Sequence, residues 1–300
     1  MINNIDEKDW DTLLGRIKAG KCTPILGAGA CYDFLPLGSD IAKDWAKEHK
    51  YPFKDSYKDL TRVAQFLAVE RDGMYPKEQI VEIFRKKFQE SNQPNYEEVD
   101  EPHGLLADFR LPIYITTNYD SFMIQALKSR KCEPKQELCR WNSLIKKKSS
   151  VFDDHKYSPS RDCPVVFHLH GYLEVPESLV LTEEDYLDFL VNISKNFKII
   201  PSTIQASLAS TSLLFIGYKL ADIDFRVLLK GIIGNLESNL SRSHISVQLI
   251  PLEEPISREE KDKAEDYLNR YFKQLNIKVY WGTSREFTKE LRNRWEKFKR

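Results

Sequence analysis

Four apolar runs in this sequence each end in a glycine turn or in polar side chains, and they constrain the fold more than any other feature. The runs are PILGAGA (24–30), IYITTNYD (113–120), VVFHLHG (165–171) and LLFIGYKLADIDF (213–225). We interpret each run as a buried strand whose last residues pass into a loop or the start of a helix. Ligands of open parallel α/β sheets bind just outside the carboxyl ends of the strands. The four strand ends therefore predict one composite pocket.

Strands and helices are predicted to alternate along most of the chain. The predicted strands are Cys22–Leu26, Ile113–Thr117, Val165–Leu169, Leu213–Gly217, His244–Ile250 and Ile277–Trp281. They are apolar without strict alternation, which is typical of a parallel sheet covered on both faces. We expect an α/β fold, a Rossmann-like open parallel sheet with helices on both faces, in a single domain over residues 1–300.

Two segments interrupt this alternation. Residues 51–100 carry helical patterns at Tyr57–Arg71 and Pro76–Glu90, and neither is followed by a strand. We interpret them as a helical insertion beside the sheet. Residues 131–164 are polar and contain Pro and Ser, so we expect a loop insertion there.

Composition excludes several classes of function. Lys plus Arg and Asp plus Glu number 45 each, so no net field favours a membrane surface or direct binding of nucleic acid. The N-terminal residues lack a signal pattern, and no run approaches the ~20 apolar residues of a membrane span. The five cysteines are an odd number without a C-x-x-C pair, which favours a reducing cytoplasm over disulfides or structural zinc.

Both glycine turns are candidates for contact with a nucleotide. The backbone N–H groups of Gly27-Ala28-Gly29-Ala30 could cradle a diphosphate, although this turn lacks a third glycine and a P-loop lysine. By itself it is equally compatible with a plain tight turn. Gly217, followed by Tyr218, would permit close approach of a nucleotide, and we expect Asp222 to cap the next helix.

The segment Thr116-Thr117-Asn118-Tyr119-Asp120 places two hydroxyls, an amide and a carboxylate at one strand end. Capping a helix needs only one such residue, so the group favours a functional role. The Asn118 amide could bind a ribose hydroxyl or hold an attacking water, because it both donates and accepts hydrogen bonds. Asp120 could accept the other ribose or amide hydrogens.

Two histidines end the third run. Alternation along a strand places His168 and His170 on one face. His170 lies last, beside a glycine that allows close approach of a substrate, and the reference pKa of histidine is about 6.5. We assign His170 as the general base and expect His168 to be structural. A His-x-His pair without a third ligand does not indicate a metal site.

In their order and spacing these four motifs resemble the sirtuin-like superfamily, and most of all the bacterial sirtuin-like NADases of antiphage defence. The resemblance covers about residues 20–235. It implies that Asn118 and His170 are catalytic. It also implies a set of residues that bind NAD: Gly27, Ala28, Gly29 and Ala30 at the diphosphate, Thr117 and Asp120 near the nicotinamide ribose, and Gly217 and Tyr218 on the adenosine side.

The sequence departs from the protein-deacylating sirtuins. Those enzymes carry a four-cysteine zinc module after the catalytic histidine, whereas all five cysteines here precede His170. Of their Pro-Asp-Phe-Arg segment only Asp33-Phe34 is present. We therefore expect no metal, and NAD as a substrate.

The resemblance implies an NAD⁺ hydrolase that releases nicotinamide and ADP-ribose or its cyclic form, as an antiphage effector that depletes NAD⁺. Two alternatives stay open: an NAD-dependent deacylase or ADP-ribosyltransferase, and a non-catalytic module that binds NAD or ADP-ribose. Unregulated hydrolysis would poison the host cell. By family analogy we expect control through a homo-oligomer or a separate partner such as a HerA-type ATPase.

Overall fold

The computed structural model describes residues 5–31, 34–90, 93–218, 244–248 and 258–299. Within these ranges seven strands form one sheet, and every strand pairing in it is parallel. In chain order the strands are β1 Cys22–Leu26, β2 Ile113–Thr116, β3 Lys135–Leu138, β4 Val165–His168, β5 Ser212–Tyr218, β6 His244–Gln248 and β7 Ile277–Trp281. The sheet order is β3-β4-β2-β1-β5-β6-β7, which confirms the predicted α/β open sheet.

The strand order is that of a dinucleotide-binding sheet with one extra edge strand. Without β3, the other six strands follow the order third, second, first, fourth, fifth, sixth. In this doubly wound order a nucleotide binds where the strand order reverses. The reversal lies between β1 and β5, and the register aligns Leu26 with Ile216 at their carboxyl ends. The first and fourth apolar runs therefore end at the two sides of this crevice.

Helices cover both faces of the sheet. They are α1 Glu7–Lys18, α2 Gly38–Glu48, α3 Leu60–Glu70, α4 Tyr75–Glu90, α5 Pro102–Asp108, α6 Phe122–Ser129, α7 Glu183–Lys195, α8 Ser202–Ser210, α9 Arg258–Gln274 and α10 Ser284–Phe298. Along β2, Tyr114 packs into the layer that contains α1 and α6, whereas Ile113 and Ile115 pack into the layer that contains α7 and α8. Burial on both faces explains why the strands read as continuous apolar runs. Among the described helices none is both long and apolar enough to cross a membrane.

The first predicted insertion contains helices, whereas the second, predicted as a loop, contains a strand. Helices α3 and α4 lie within residues 51–100, as expected. Residues 131–164, predicted as a loop, contribute the edge strand β3, which pairs with β4. The sequence Lys-Gln-Glu-Leu carries no apolar run because an edge strand is partly exposed. Its buried Glu137 forms an ion pair with Arg140 and accepts hydrogen bonds from Ser150 and Val151.

The boundary after β2 also differs from the prediction. Helix α6 begins at Phe122, four residues later than expected, because side chains of the preceding turn bond the local backbone. Thr116 Oγ1 accepts from the Asn118 N–H at 2.9 Å, and Asp120 Oδ1 accepts from the Phe122 N–H at 2.8 Å. The predicted helix at 222–236, with Asp222, and the residue Asp33 lie outside the described residues.

Candidate active site

The two glycine turns pack directly against each other at the crevice between β1 and β5. Gly217 has a φ of +85°, and a Cβ added there would lie 2.4 Å from the Ala30 nitrogen and 2.5 Å from the Gly27 oxygen. A Cβ at Gly27 would lie 2.8 Å from the Gly217 oxygen. The close approach that these glycines permit is thus between two backbone segments. A nucleotide at this crevice would lie against a preassembled pair of turns.

The first turn retains two N–H groups for a ligand. Residues Ala28–Ala30 form a 3-10 turn in which the Ala30 N–H bonds to Gly27 and the Cys31 N–H bonds to Ala28. The hydrogen bonds of the described residues include none from the Ala28 or Gly29 N–H. Ala28 is exposed and Gly29 is half-buried. Adjacent free N–H groups of this kind bind phosphate oxygens.

Tyr218 and Thr117 connect three strand ends. The Tyr218 hydroxyl donates to the Leu26 carbonyl at 2.9 Å and lies 3.0 Å from Thr117 Oγ1. A Cβ at Gly27 would be 2.9 Å from the Tyr218 ring. Both predicted binding residues therefore stabilise the junction of β1, β2 and β5.

Asn118 lies half-buried at this junction with both of its amide hydrogens engaged. Nδ2 donates to the Gly27 carbonyl at 3.0 Å and to Cys31 Sγ at 3.1 Å. No described residue bonds Oδ1, so this oxygen can accept a hydrogen bond from a ligand. The structure thus brings Asn118 onto the glycine turn, as the composite pocket predicted.

Asp120 is buried beneath Asn118. Its Oδ2 accepts from Cys31 Sγ at 3.3 Å, while Oδ1 accepts from the Phe122 N–H at the start of α6. Both oxygens are engaged within the protein, unlike Oδ1 of Asn118.

The two histidines do not share an environment. His168 Nδ1 lies 3.4 Å from the Asn118 carbonyl oxygen, its ring packs on Tyr172, and its buried Nε2 has no hydrogen-bond partner among the described residues. The His170 ring instead packs edge-on against Tyr186 and Phe189, and none of the described residues hydrogen-bonds to it. Burial lowers the pKa of His168 to about 4 and that of His170 to about 3. Both rings are therefore neutral at pH 7.

Protein atoms occupy the space beside Gly171, where the sequence predicted close approach of a substrate. Its φ is +94°, and an added Cβ would lie 2.3 Å from the Ser178 carbonyl oxygen. The Val180 N–H donates to the His170 carbonyl at 3.0 Å. Gly171 therefore allows residues 176–180 to pack against the chain just after β4, and the space that its side chain would take is filled by the Ser178 backbone.

Sequence reasoning missed three buried residues beside Asn118 and Asp120: Cys31, His103 and Glu101. Cys31 Sγ lies 3.8 Å from His103 Nε2, and His103 Nδ1 lies 2.7 Å from Glu101 Oε1. Glu101 also accepts from the N–H groups of His103 and Gly104 as the N-cap of α5. Two features of the sequence could have indicated them. Cys31 directly follows the glycine turn, and Glu101 directly precedes Pro102-His103-Gly104 at a possible helix start.

Electrostatics favour a charged pair within this cluster. Burial opposes ionisation of His103, yet Glu101 outweighs it and raises the pKa of His103. The pKa of Glu101 is lowered despite its burial, by His103 and by two backbone N–H groups. Burial, together with Asp120, raises the pKa of Cys31 well above its usual range, so Cys31 is a thiol at pH 7.

Cys31, His103 and Asp120 have the donor types of a metal site. One ligand atom from each lies within 4.8 Å of the others. The absence of a metal, expected from the sequence, stays a prediction.

Comparisons with known proteins found a matching family model and similar proteins. A family model described as a SIR2-like domain matches residues 112–280, more than half of the chain. The chain is 25% identical over 215 residues to NAD(+) hydrolase ThsA of Bacillus cereus (strain MSX-D12), covering 71% of this chain and 38% of that protein. It is 30% identical over 135 residues to NAD(+) hydrolase ThsA of Cytobacillus dafuensis, covering 45% of this chain and 24% of that protein. The matched regions span less than half the length of these relatives.

Proposed function

This chain belongs to the SIR2-like domain family, and we propose that it is an NAD⁺ glycohydrolase that cleaves the nicotinamide–ribose bond. The observation that carries the proposal is the arrangement of Asn118. Its two amide hydrogens are bonded to Gly27 and Cys31 at the crevice where a doubly wound sheet binds a nucleotide, which leaves Oδ1 available. Two relatives named NAD(+) hydrolase support NAD⁺ as the substrate and hydrolysis as the reaction.

The reaction needs little acid catalysis. Nicotinamide leaves the cationic glycoside as a neutral molecule, so the enzyme does not have to protonate it. The remaining tasks are to stabilise an oxocarbenium-like ribose and to position a nucleophile. The absence of any need for a leaving-group acid distinguishes this chemistry from that of ordinary glycosidases, which use paired carboxylates.

Asn118 and His170 divide these tasks in the proposal. Asn118 Oδ1 accepts a hydrogen bond from water or from a ribose hydroxyl and thereby orients it for attack. His170 accepts a proton from one of these groups, and its neutral ring at pH 7 is the form that can do so. Its aromatic surroundings make it a weak base in the unliganded protein, so NAD⁺ has to improve its solvation or its hydrogen bonding.

The remaining predicted residues bind the nucleotide in this proposal. The free N–H groups of Ala28 and Gly29 hold the diphosphate. Thr117 and Asp120 lie towards the nicotinamide ribose, and Gly217 and Tyr218 lie towards the adenosine. Since Tyr218 and Asp120 also bond within the protein, they shape the pocket as well as contact its ligand.

The biological role is proposed from the same relationship. We infer an effector that depletes NAD⁺ during phage infection, in a reducing cytoplasm where its five free thiols are stable. Phe53 and Val69, in and beside the helices of residues 51–100, are 61% and 73% exposed. We propose this segment as the contact surface of a homo-oligomer or of a HerA-type ATPase, which would cover these apolar side chains.

Purified protein incubated with NAD⁺ tests the activity. We expect the release of nicotinamide together with ADP-ribose or its cyclic isomer, resolved by chromatography. The assay is run with the protein alone and with its genomic neighbour, because an effector of this kind is expected to be restrained. Release of nicotinamide only in the presence of an acylated peptide, in equal amount to deacylated product, would show a deacylase instead.

Two variants test the residue roles. Asn118→Ala should lower kcat by about 10²–10³-fold, because it removes an oxygen that orients the nucleophile. His170→Ala should lower kcat by about 10²–10⁴-fold, the usual contribution of a general base. His155→Ala removes an exposed histidine outside the candidate site and is the matched control, which should leave kcat unchanged. Wild-type consumption of NAD⁺ by folded His170→Ala, with loss of activity in His168→Ala, would transfer the base role to His168.

A further inference from the structure

Cys31 joins Asn118 to a buried polar cluster that none of the sequence motifs assigned. Cys31, His103 and Asp120 are all buried. The thiol donates to Asp120 Oδ2 at 3.3 Å, and Asn118 Nδ2 donates to the Cys31 sulfur at 3.1 Å. The sulfur is thus both a donor to one candidate active-site residue and an acceptor from another.

The two hydrogen bonds of the Asn118 amide have different consequences. The Gly27 carbonyl can only accept a hydrogen bond, so the Asn118 amide must direct its nitrogen, and not its oxygen, towards Gly27. A single bond would still let the amide plane swing about the Gly27 contact. The second bond, to Cys31 Sγ, fixes that plane and with it the direction of Oδ1.

The cluster behind Cys31 keeps the sulfur in place. The His103 ring lies 3.8 Å from Sγ and is held on its other side by Glu101 at 2.7 Å. Glu101 is in turn fixed by backbone N–H groups at the start of α5. The chain of contacts therefore runs from a helix terminus through His103 and Cys31 to Asn118.

We propose that Cys31 is a positioning residue, supported by the Glu101–His103 pair, which holds the Asn118 amide so that Oδ1 points at the reacting ribose. This role rests on the proposed hydrolysis of NAD⁺. Cys31 does not contact the reacting atoms itself. Its contribution appears in kcat, because a misdirected Asn118 oxygen weakens the transition state more than it weakens nucleotide binding.

Steady-state kinetics with Cys31→Ala and Cys31→Ser test the proposal. Cys31→Ala should lower kcat by about 10-fold or more and leave KM within about twofold, since a displacement near 1 Å can cost up to about 10²-fold. Cys31→Ser should recover most of the rate, because a hydroxyl also donates and accepts. Cys22→Ala removes another buried free thiol, on β1, and should leave kcat unchanged. Wild-type kcat in Cys31→Ala, or no recovery in a folded Cys31→Ser, would overturn the proposal.

A spectroscopic measurement separates this inference from the proposed function. The side-chain amide of Asn118 can be assigned in ¹⁵N spectra by its loss in Asn118→Asp. Its two proton resonances should shift or merge in Cys31→Ala and stay in place in Cys22→Ala. If the wild-type protein never consumes NAD⁺, the proposed function fails, and this spectrum still decides the position of Asn118.

The metal content decides between a thiol and a thiolate at Cys31. The proposal expects no stoichiometric zinc or iron in protein purified from medium that contains both metals. One equivalent of either metal, lost in both Cys31→Ser and His103→Gln, would overturn it. The sulfur would then be a metal ligand together with His103 and Asp120, and Asn118 would be bonded to that centre.

Discussion

Gly217 is the position where a single added methyl group tests the packing of the two glycine turns. Its φ of +85° lies in the left-handed region, and its missing Cβ faces the backbone of residues 27–30. The nearest atoms would be the Ala30 nitrogen at 2.4 Å and the Gly27 oxygen at 2.5 Å. Because both are backbone atoms of a hydrogen-bonded turn, they cannot rotate away as a flexible side chain would.

The cost of Gly217→Ala has two parts. A left-handed conformation disfavours an L-residue by about 1–2 kcal/mol. Forcing an extra methyl group into a packed site typically costs a further ~1–3 kcal/mol. We therefore expect the free energy of unfolding to fall by about 2–5 kcal/mol. If the turns instead move apart, the Gly27 carbonyl moves with them, and the anchor of the Asn118 amide is lost.

Urea unfolding followed by tryptophan fluorescence measures this loss, with Gly15→Ala as the matched control. Gly15 lies within α1, and a Cβ there would have no atom within 4 Å. That substitution should raise stability by about 0.5–1 kcal/mol, since alanine is the better helix former. A Gly217→Ala protein as stable as the wild type, or a Gly15→Ala protein equally destabilised, would refute the reasoning.

Two further outcomes concern buried ionisable groups. Between pH 7 and pH 5 the free energy of unfolding should fall by about 2 kcal/mol for each of His168 and His170, because the unfolded chain takes up protons that the buried rings do not. Urea midpoints at both pH values check this, and an equally steep fall in His170→Asn would contradict it. Lys77→Met should lower the free energy of unfolding by at most about 3–5 kcal/mol, because the partly buried carboxylate of Asp185, bonded to Lys77 at 2.8 Å, would lose its cation and keep only its bonds to the Leu181 and Thr182 N–H groups. Lys77→Met/Asp185→Asn should recover part of that loss in the same assay, and wild-type stability of the single variant would exclude this account.

The sequence was sufficient to predict that the glycine turns and Asn118 lie together, because the carboxyl ends of parallel strands meet at one edge of the sheet. Burial of the strands on both faces left apolar runs that could be recognised without further information. The polar residues that end those runs then had to come together. Gly27 and Gly217 and the Asn118 amide do so within hydrogen-bonding or van der Waals distance.

The prediction that His168 and His170 lie on one face of a strand was wrong, because the strand ends at His168. His168 is the last residue of β4 and faces the layer of Tyr114 and Val166. The chain turns at the next residue, and the His170 ring enters the opposite layer beside Phe189. A period of two predicts a shared face only while the backbone stays extended, and the sequence does not mark where that ends.

Contacts between segments that are far apart in the sequence could not be predicted either. Cys31 and His103 are 72 positions apart and meet only because α5 packs beside the glycine turn. No sequence pattern around either residue indicates that the two are in contact. The edge strand β3 was missed for a related reason, since its stabilising contacts come from residues 140–151 and not from an apolar run of its own.

The glycine turns determine more than the proposed binding of the diphosphate. Gly27 has no side chain because Gly217 and the Tyr218 ring occupy the space beside it, and its carbonyl is thereby held where the Asn118 amide can reach it. The same atom accepts the Ala30 N–H that closes the 3-10 turn. A change in either glycine turn must then act on Asn118, even though Gly217 lies 99 positions away in the sequence. Loss of activity in a glycine variant is consequently not by itself a sign of lost nucleotide binding, and only a separate measurement of NAD⁺ affinity distinguishes the two effects.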